Sequence, residues 1–190
     1  MLTTKLVTTD HELEQIADLS KANLVSNLSA ETRSKEGFVT WVYTPETLKA
    51  LGKIIPSVIV KDGDTLAGYA LSLSPACTDV YPPMAATHDL VSSLSYNGRP
   101  LAQQKVYYCG QICVAEAYRG QGVVNMLYQF HRQQFSPQFD LLVTEISTAN
   151  PRSLKAHQKV GFQVIETHRD ELDQWDIVLW DWKKQAGQNH

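Results

Sequence analysis

The stretch Gln111-Ile-Cys-Val-Ala-Glu-Ala-Tyr-Arg-Gly-Gln-Gly-Val-Val-Asn-Met-Leu-Tyr-Gln-Phe130 decides the reading of this chain. It passes from an apolar strand through a loop holding Gly120 and Gly122 into an amphipathic helix. Glycines two apart let the backbone turn tightly and carry no side chain, so amide N–H groups at the helix start can point outward together. Such a terminus attracts phosphate. Two glycines taken alone are read more readily as a turn that merely needs glycine, so the context has to decide.

Working outward, Lys105 to Val114 reads as a central strand, Gly122 to Phe135 as a helix with Val123, Leu127 and Phe130 on one side, and Leu141 to Ile146 as a second apolar strand. This β-α-β unit predicts a parallel pair with ligands at the carboxyl ends of the strands. Downstream, Asn150-Pro151 predicts a capped helix ending at Gly161, followed by strands over Phe162 to His168 and Trp175 to Trp182. In the second of these, Trp175, Ile177 and Leu179 alternate with Asp176, Val178 and Trp180. Residues 183–190 are expected to fray.

Upstream, 74–104 breaks the pattern with Pro75, Pro82-Pro83, Gly98 and Pro100 around a helix near Met84 to Leu94. A connection this long reads as a substrate-side excursion, anchored by Tyr81, Leu90 and Tyr96. Before it, Asp62-Gly63-Asp64 joins Ser57 to Lys61 and Leu66 to Leu73 as a hairpin. Thr44-Pro45-Glu46 opens a short helix that stops at Gly52. Further forward, a strand is expected over Phe38 to Tyr43 and a weak helix over Asn27 to Lys35. A helix capped by Asp10 and carrying Leu13, Ile16, Ala17 and Leu24 follows a first strand over Lys5 to Thr8.

With 190 residues, 43% of them hydrophobic, the chain suits one domain spanning 1–190. A formal charge of −3 gives no global reason to expect nucleic acid. No apolar run approaches the roughly 18 residues of a membrane span, and the start lacks the apolar core of a secretory signal, so the cytoplasm is the default. Cys77, Cys109 and Cys113 are odd in number and form no Cys-x-x-Cys pair, which suits a reducing compartment. No His or Cys cluster has metal-ligand spacing, and no metal is expected.

Arg119-Gly-Gln-Gly-Val-Val124 lacks the third glycine of a dinucleotide fingerprint and the Gly-Lys-Ser/Thr of a Walker loop. What it resembles is the GNAT superfamily of acyl-CoA-dependent N-acetyltransferases, in the pattern Arg/Gln-x-x-Gly-x-Gly/Ala. Arg119, Gly122 and Val124 take those three places, and Val124 departs from the family's Gly or Ala. A second likeness is Asn150 followed by His157-Gln-Lys-Val-Gly161-Phe162, where the family commonly has Tyr-x-x-x-Gly-Phe. Together the motifs and flanking strands cover most of the chain. The resemblance implies an α/β (α+β) fold, with a mixed, mostly antiparallel sheet of about seven strands and helices on both faces. It also implies transfer of an acetyl group from acetyl-CoA directly to a primary amine, on a small molecule or a peptide, and leaves a homodimer open.

By the same resemblance, the backbone of Arg119, Gly120, Gln121, Gly122, Val123, Val124 and Asn125 holds the pyrophosphate of coenzyme A. Ile112, Cys113 and Val114 run beside the pantetheine arm, and Asn150 and Ser153 contact the cofactor. Arg152 and Lys155 either reach the nucleotide 3′-phosphate or are ordinary exposed helix charges. Cys113 is read as a small buried side chain rather than a nucleophile. His157 takes the place of the tyrosine that protonates the departing thiolate. Its spacing with Leu154 and Val160 equally fits a core histidine, whereas an unperturbed ring would be about one quarter protonated at pH 7. For the general base, worth roughly 10² to 10⁴ in rate, the candidates are Glu145, Tyr108 and Glu116, with a water relay as the other route. Trp41, Tyr43, Tyr81, His88 and Tyr96 either line the acceptor pocket or are core aromatics. Set against the enzyme is a non-catalytic acyl-CoA-binding sensor.

Overall fold

A computed structural model of the chain describes residues 1–29 and 38–184. The elements are β1 (Leu2–Leu6), α1 (Asp10–Ala22), α2 (Pro45–Gly52), β2 (Val58–Asp62), β3 (Thr65–Leu73) and α3 (Met84–Ser93). They continue with β4 (Ser95–Tyr96), β5 (Arg99–Pro100), β6 (Val106–Val114), α4 (Val123–Phe135), β7 (Leu141–Ser147), α5 (Pro151–Val160), β8 (Gln163–Arg169) and β9 (Gln174–Asp181). Seven strands form one sheet in the order β1-β2-β3-β6-β7-β9-β8, and β4 pairs only with β5. Within the large sheet β6 and β7 are parallel and the other pairs are antiparallel. The mixed, mostly antiparallel seven-stranded sheet expected from the sequence is therefore present, with helices on both faces.

Side-chain alternation sorts the helices. Leu142 pairs with Trp180, and Trp180 meets the Tyr128 ring of α4, so the even-numbered residues of β7 face α4 and α5. Val143 and Glu145 face the opposite way, where Thr87 of α3 reaches Glu145. α1 lies on this second face too, with Ser20 hydrogen-bonded to Gln111 of β6. The residues buried between these layers, among them Tyr69, Tyr107, Leu127, Leu142 and Trp180, form one hydrophobic cluster.

Several local expectations are corrected. The first strand is Leu2–Leu6 rather than Lys5 to Thr8, because Thr8 and Thr9 turn their amides to the Glu12 carboxylate. Thr9, not Asp10, caps α1, in a capping box with Glu12. Burial by itself would raise the Glu12 carboxyl, but hydrogen bonds from Lys5 and from those two amides bring it down to about 2. Phe38 to Tyr43 is not a strand. It contributes one parallel bridge, Val39 to Leu24, and its carbonyls are taken by side chains instead: Phe38 O by Asn150, and Trp41 O by Ser20 and Gln111. Of the weak helix expected over Asn27 to Lys35, Val25–Asn27 is a 3-10 turn, and from residue 30 the stretch lies outside the described residues. The tail expectation likewise falls outside them beyond Lys184.

The excursion packs as two 3-10 turns (Pro75–Asp79 and Leu101–Gln103), α3 and the β4–β5 hairpin. Thr44 caps α2 and Asn150 caps α5, as their sequences predict. Gly63, at the tip of the β2–β3 hairpin, sits at φ 57°.

Candidate functional site

The defining irregularity lies in β6. Ala70 of β3 pairs with Ile112 but Ser72 pairs with Cys109, so an extra residue is accommodated at Gly110-Gln111 as a bulge. On its other side β6 pairs with β7 only from Val106–Leu141 to Tyr108–Val143, and Thr144 Oγ1 donating to Cys109 O at 2.8 Å is the last link. Beyond it the two parallel strands part. Gly110 is consequently exposed although it belongs to a central strand. A Cβ there would stand 2.5 Å from Leu73 Cδ1 and 3.3 Å from the Tyr43 hydroxyl, so any side chain at 110 would have to displace the Leu73 side chain.

A groove of about 800 Å³ begins on β6 at Ile112, two residues beyond Gly110. It is lined by Ile112, Cys113 and Val114 of β6, by Arg119, Gly120, Gly122, Val123, Val124 and Asn125, and by α5 from Asn150 through Ser153 and His157 to Val160. Gly122 occupies the N-cap of α4 at φ 79°, a left-handed conformation that glycine adopts without strain. No side chain caps α4, in contrast to α1, α2 and α5, so the positive end of its dipole opens on the groove. Arg152, Lys155 and Lys159 add positive charge along the α5 wall. Gln121 does not line the groove; its side chain turns back to donate to Ala117 O at 2.8 Å.

Several expected contact residues are also committed elsewhere. Arg119 donates to Asn23 Oδ1 at 2.7 Å and to Val114 O at 3.4 Å, fastening the loop to the end of α1 and to β6. Asn150 accepts from Ser153 N through Oδ1 and donates to Phe38 O through Nδ2, both at 3.2 Å, so it joins two walls of the groove. Cys113 is buried, which pushes its thiol up to about 12. A thiol so disfavoured from ionising is a poor nucleophile.

His157 lines the groove but is 2% exposed. Its Nδ1–H donates to Ser153 O at 2.8 Å, which leaves Nε2 to accept from the Tyr128 hydroxyl at 2.6 Å. Burial lowers its pKa to about 4, against the opposing pull of the Ser153 carbonyl. The one-quarter protonation expected from an unperturbed ring is thus replaced by roughly one ring in a thousand at pH 7. Leu154 and Val160 do share its inward side.

A second polar group occupies the opposite sheet face. Glu145 Oε2 accepts from Thr87 Oγ1 at 2.7 Å and Oε1 accepts from His168 Nε2 at 2.8 Å. The Tyr108 hydroxyl lies 2.9 Å from His88 Nδ1. Burial, then the negative charge of Glu145, raises the Tyr108 phenol well above its ordinary value, so it stays protonated near neutral pH. The bulge puts Tyr108 and Ile112 on opposite faces of β6, Tyr108 with this cluster and Ile112 with the groove, and exposed Gly110 lies between them along the strand. Glu116 lies in a 3-10 turn beyond the strand end.

Of the aromatic candidates, Trp41 is exposed. Tyr43 is buried, with its ring centroid 5.2 Å from that of half-buried Tyr81. Tyr96 is buried away from them, accepting from Gln163 and lying under Lys184. His168, Thr87 and Tyr128 were missed in the sequence. His168 sits in an unremarkable edge strand and Thr87 in an excursion without a motif, so no local signal marked them.

A sheet split beside an uncapped glycine-led helix defines an acetyltransferase-like class, and sequence comparison agrees. The model of the acetyltransferase (GNAT) family matches residues 26–162, and the chain belongs to that family. Among curated proteins none matches by sequence. Solved structures share the fold at low identity. The ribosomal-protein-S18-alanine N-acetyltransferase of Escherichia coli is 12% identical, with a TM-score of 0.63 over 100% of this chain and 99% of that one. Ard1 of Thermoplasma volcanium is 12% identical, with a TM-score of 0.65 over 95% and 97%. The putative acetyltransferase yncA of Salmonella typhimurium, solved with its cofactor acetyl-CoA, is 12% identical, with a TM-score of 0.60 over 99% and 98%. Among the described residues no helix is long and apolar enough to cross a membrane, and no three His, Cys, Asp or Glu side chains group as metal ligands.

Proposed function

We propose that this protein is an N-acetyltransferase that moves an acetyl group from acetyl-CoA directly to a primary amine. The single observation that carries the reading is the parting of β6 and β7 at exposed Gly110, two residues before β6 enters a groove headed by the uncapped α4. A cosubstrate that is anionic at one end and reactive at the other suits that shape. The pyrophosphate takes the free amides at Gly122 to Asn125, with Arg119 bracing the loop through Asn23. The pantetheine arm follows Ile112, Cys113 and Val114, and Lys155 and Arg152 serve the nucleotide phosphates. The likeness to the yncA structure, solved with acetyl-CoA, supports the same cosubstrate.

The acceptor enters from the Tyr108–Glu145 face. Attack requires a neutral amine, and Glu145 is the base that removes the ammonium proton; the amine nitrogen then bonds the acetyl carbon, the C–S bond breaks, and the coenzyme A thiolate leaves with a proton from the Tyr108 phenol, which solvent restores. Backbone amides of β6 near the bulge polarise the thioester carbonyl. His157, neutral and engaged at both nitrogens, shapes the groove wall. The test is release of coenzyme A from acetyl-CoA with a panel of primary amines and peptides. Turnover on any of them supports the enzyme, whereas tight acetyl-CoA binding without turnover across the panel returns the non-catalytic sensor.

A further inference from the structure

The Glu145 carboxylate is gripped on both oxygens by elements remote from β7. Thr87 Oγ1 comes from α3, 58 residues earlier, and His168 Nε2 from β8, 23 residues later. Neither contact belongs to the core. Glu145 and His168 side chains are 22% and 23% exposed, so the clamp stands at the surface of the cluster, where solvent would otherwise compete for the carboxylate. A carboxylate oxygen has two acceptor sites. One donor on each oxygen therefore fixes the group while leaving a free site on each for an incoming N–H. Without the donors, a glutamate side chain that is 22% exposed samples several rotamers.

We propose that Thr87 and His168 are positioning residues that together hold Glu145 in the orientation from which it takes the proton of the acceptor ammonium. The inference rests on Glu145 being the base. It assigns a purpose to the excursion: α3 completes the site, contributing Thr87 to Glu145 and His88 to Tyr108 from adjacent positions. A misplacement of about 1 Å costs on the order of 10²-fold in rate, which sets the scale of the effect.

The test measures kcat and both KM values for His168→Ala, His168→Gln, Thr87→Val, Thr87→Ser and Glu145→Gln. Rates are normalised to folded protein, with coenzyme A release as the readout. His168→Ala and Thr87→Val are each expected to lower kcat by about 10-fold to 100-fold with KM for acetyl-CoA within about twofold. His168→Gln and Thr87→Ser keep a donor for the carboxylate and recover kcat to within about threefold of the wild type. Adding His168→Ala to Glu145→Gln lowers the rate no further, because the two act as a unit. If Glu145→Gln abolishes turnover while His168→Ala and Thr87→Val leave kcat unchanged, the inference falls and the base assignment stands. If Glu145→Gln itself leaves kcat unchanged, the base assignment falls and takes the inference with it. Should His168→Ala fail to fold, Thr87→Val and the Gln and Ser variants carry the decision.

Discussion

Three tyrosine–histidine pairs flank β6 at nearly equal distances, yet the two sheet faces use them differently. On the α4–α5 face, Tyr128 bonds His157 at 2.6 Å and Tyr107 bonds His131 at 2.8 Å, with both histidines sealed from solvent. His131 Nε2–H donates to Ala70 O, so its Nδ1 accepts from Tyr107, the same carbonyl and tyrosine partners as in His157 with the two ring nitrogens exchanged. Burial lowers His131 to about 3 and His157 to about 4. On the other face, Tyr108 is itself buried, but its partner His88 is only half-buried and stands beside Glu145 and His168. Hydrogen-bond length does not distinguish the two faces; the exposure of the histidine and the neighbouring carboxylate do.

The sharpest way to break this comparison is to exchange a polar group on each face. Glu145→Gln is expected to lower kcat by about 10² to 10⁴ with acetyl-CoA affinity unchanged by calorimetry. His157→Gln, measured on the folded fraction, is expected to change kcat by less than about threefold. The opposite pattern, with His157→Gln crippling turnover and Glu145→Gln silent, would return the acid role to the buried face.

Acid sensitivity sharpens the same contrast. Both buried rings have folded pKa values below the unfolded value near 6.5, so their contribution to stability is fully present above that pH. It is lost as pH falls, because the unfolded chain takes protons that the folded chain refuses. Together they predict a loss of about 3–4 kcal/mol between pH 7 and pH 5. Urea unfolding at the two pH values measures it, and equal stabilities would mean that the rings are not held neutral.

A smaller effect is expected for Tyr128→Phe, which leaves His157 Nε2 buried without its donor. The cost is about 1–3 kcal/mol of stability. Turnover per folded molecule should stay within about twofold; a 10-fold loss would show that the pair contributes to the reaction. Smallest of all is Val124→Ala, which trims the first turn of α4 and is expected to shift the acetyl-CoA Kd by less than about threefold, since backbone amides rather than this side chain serve the phosphate.

Much of the frame was legible because its signals are local. Asn150-Pro151, Thr44-Pro45 and Asp62-Gly63-Asp64 state their caps and turns within a few residues, and Gly122 marks the uncapped start of α4. The mistaken strand over Phe38 to Tyr43 had the right composition, but its carbonyls found side-chain partners on Ser20, Gln111 and Asn150 instead of a neighbouring strand. Strand content is not strand pairing.

The sequence by itself determined the β-α-β unit at 105–146, the glycine-led helix and the pattern that resembles the GNAT family, since each depends on residues near one another along the chain. Tertiary structure alone decided the state of His157, through Tyr128 29 residues away, and the company of Glu145, through Thr87 and His168. Protonation and orientation are set by burial and by donors brought from other elements. Those are consequences of packing, which no short stretch of sequence contains.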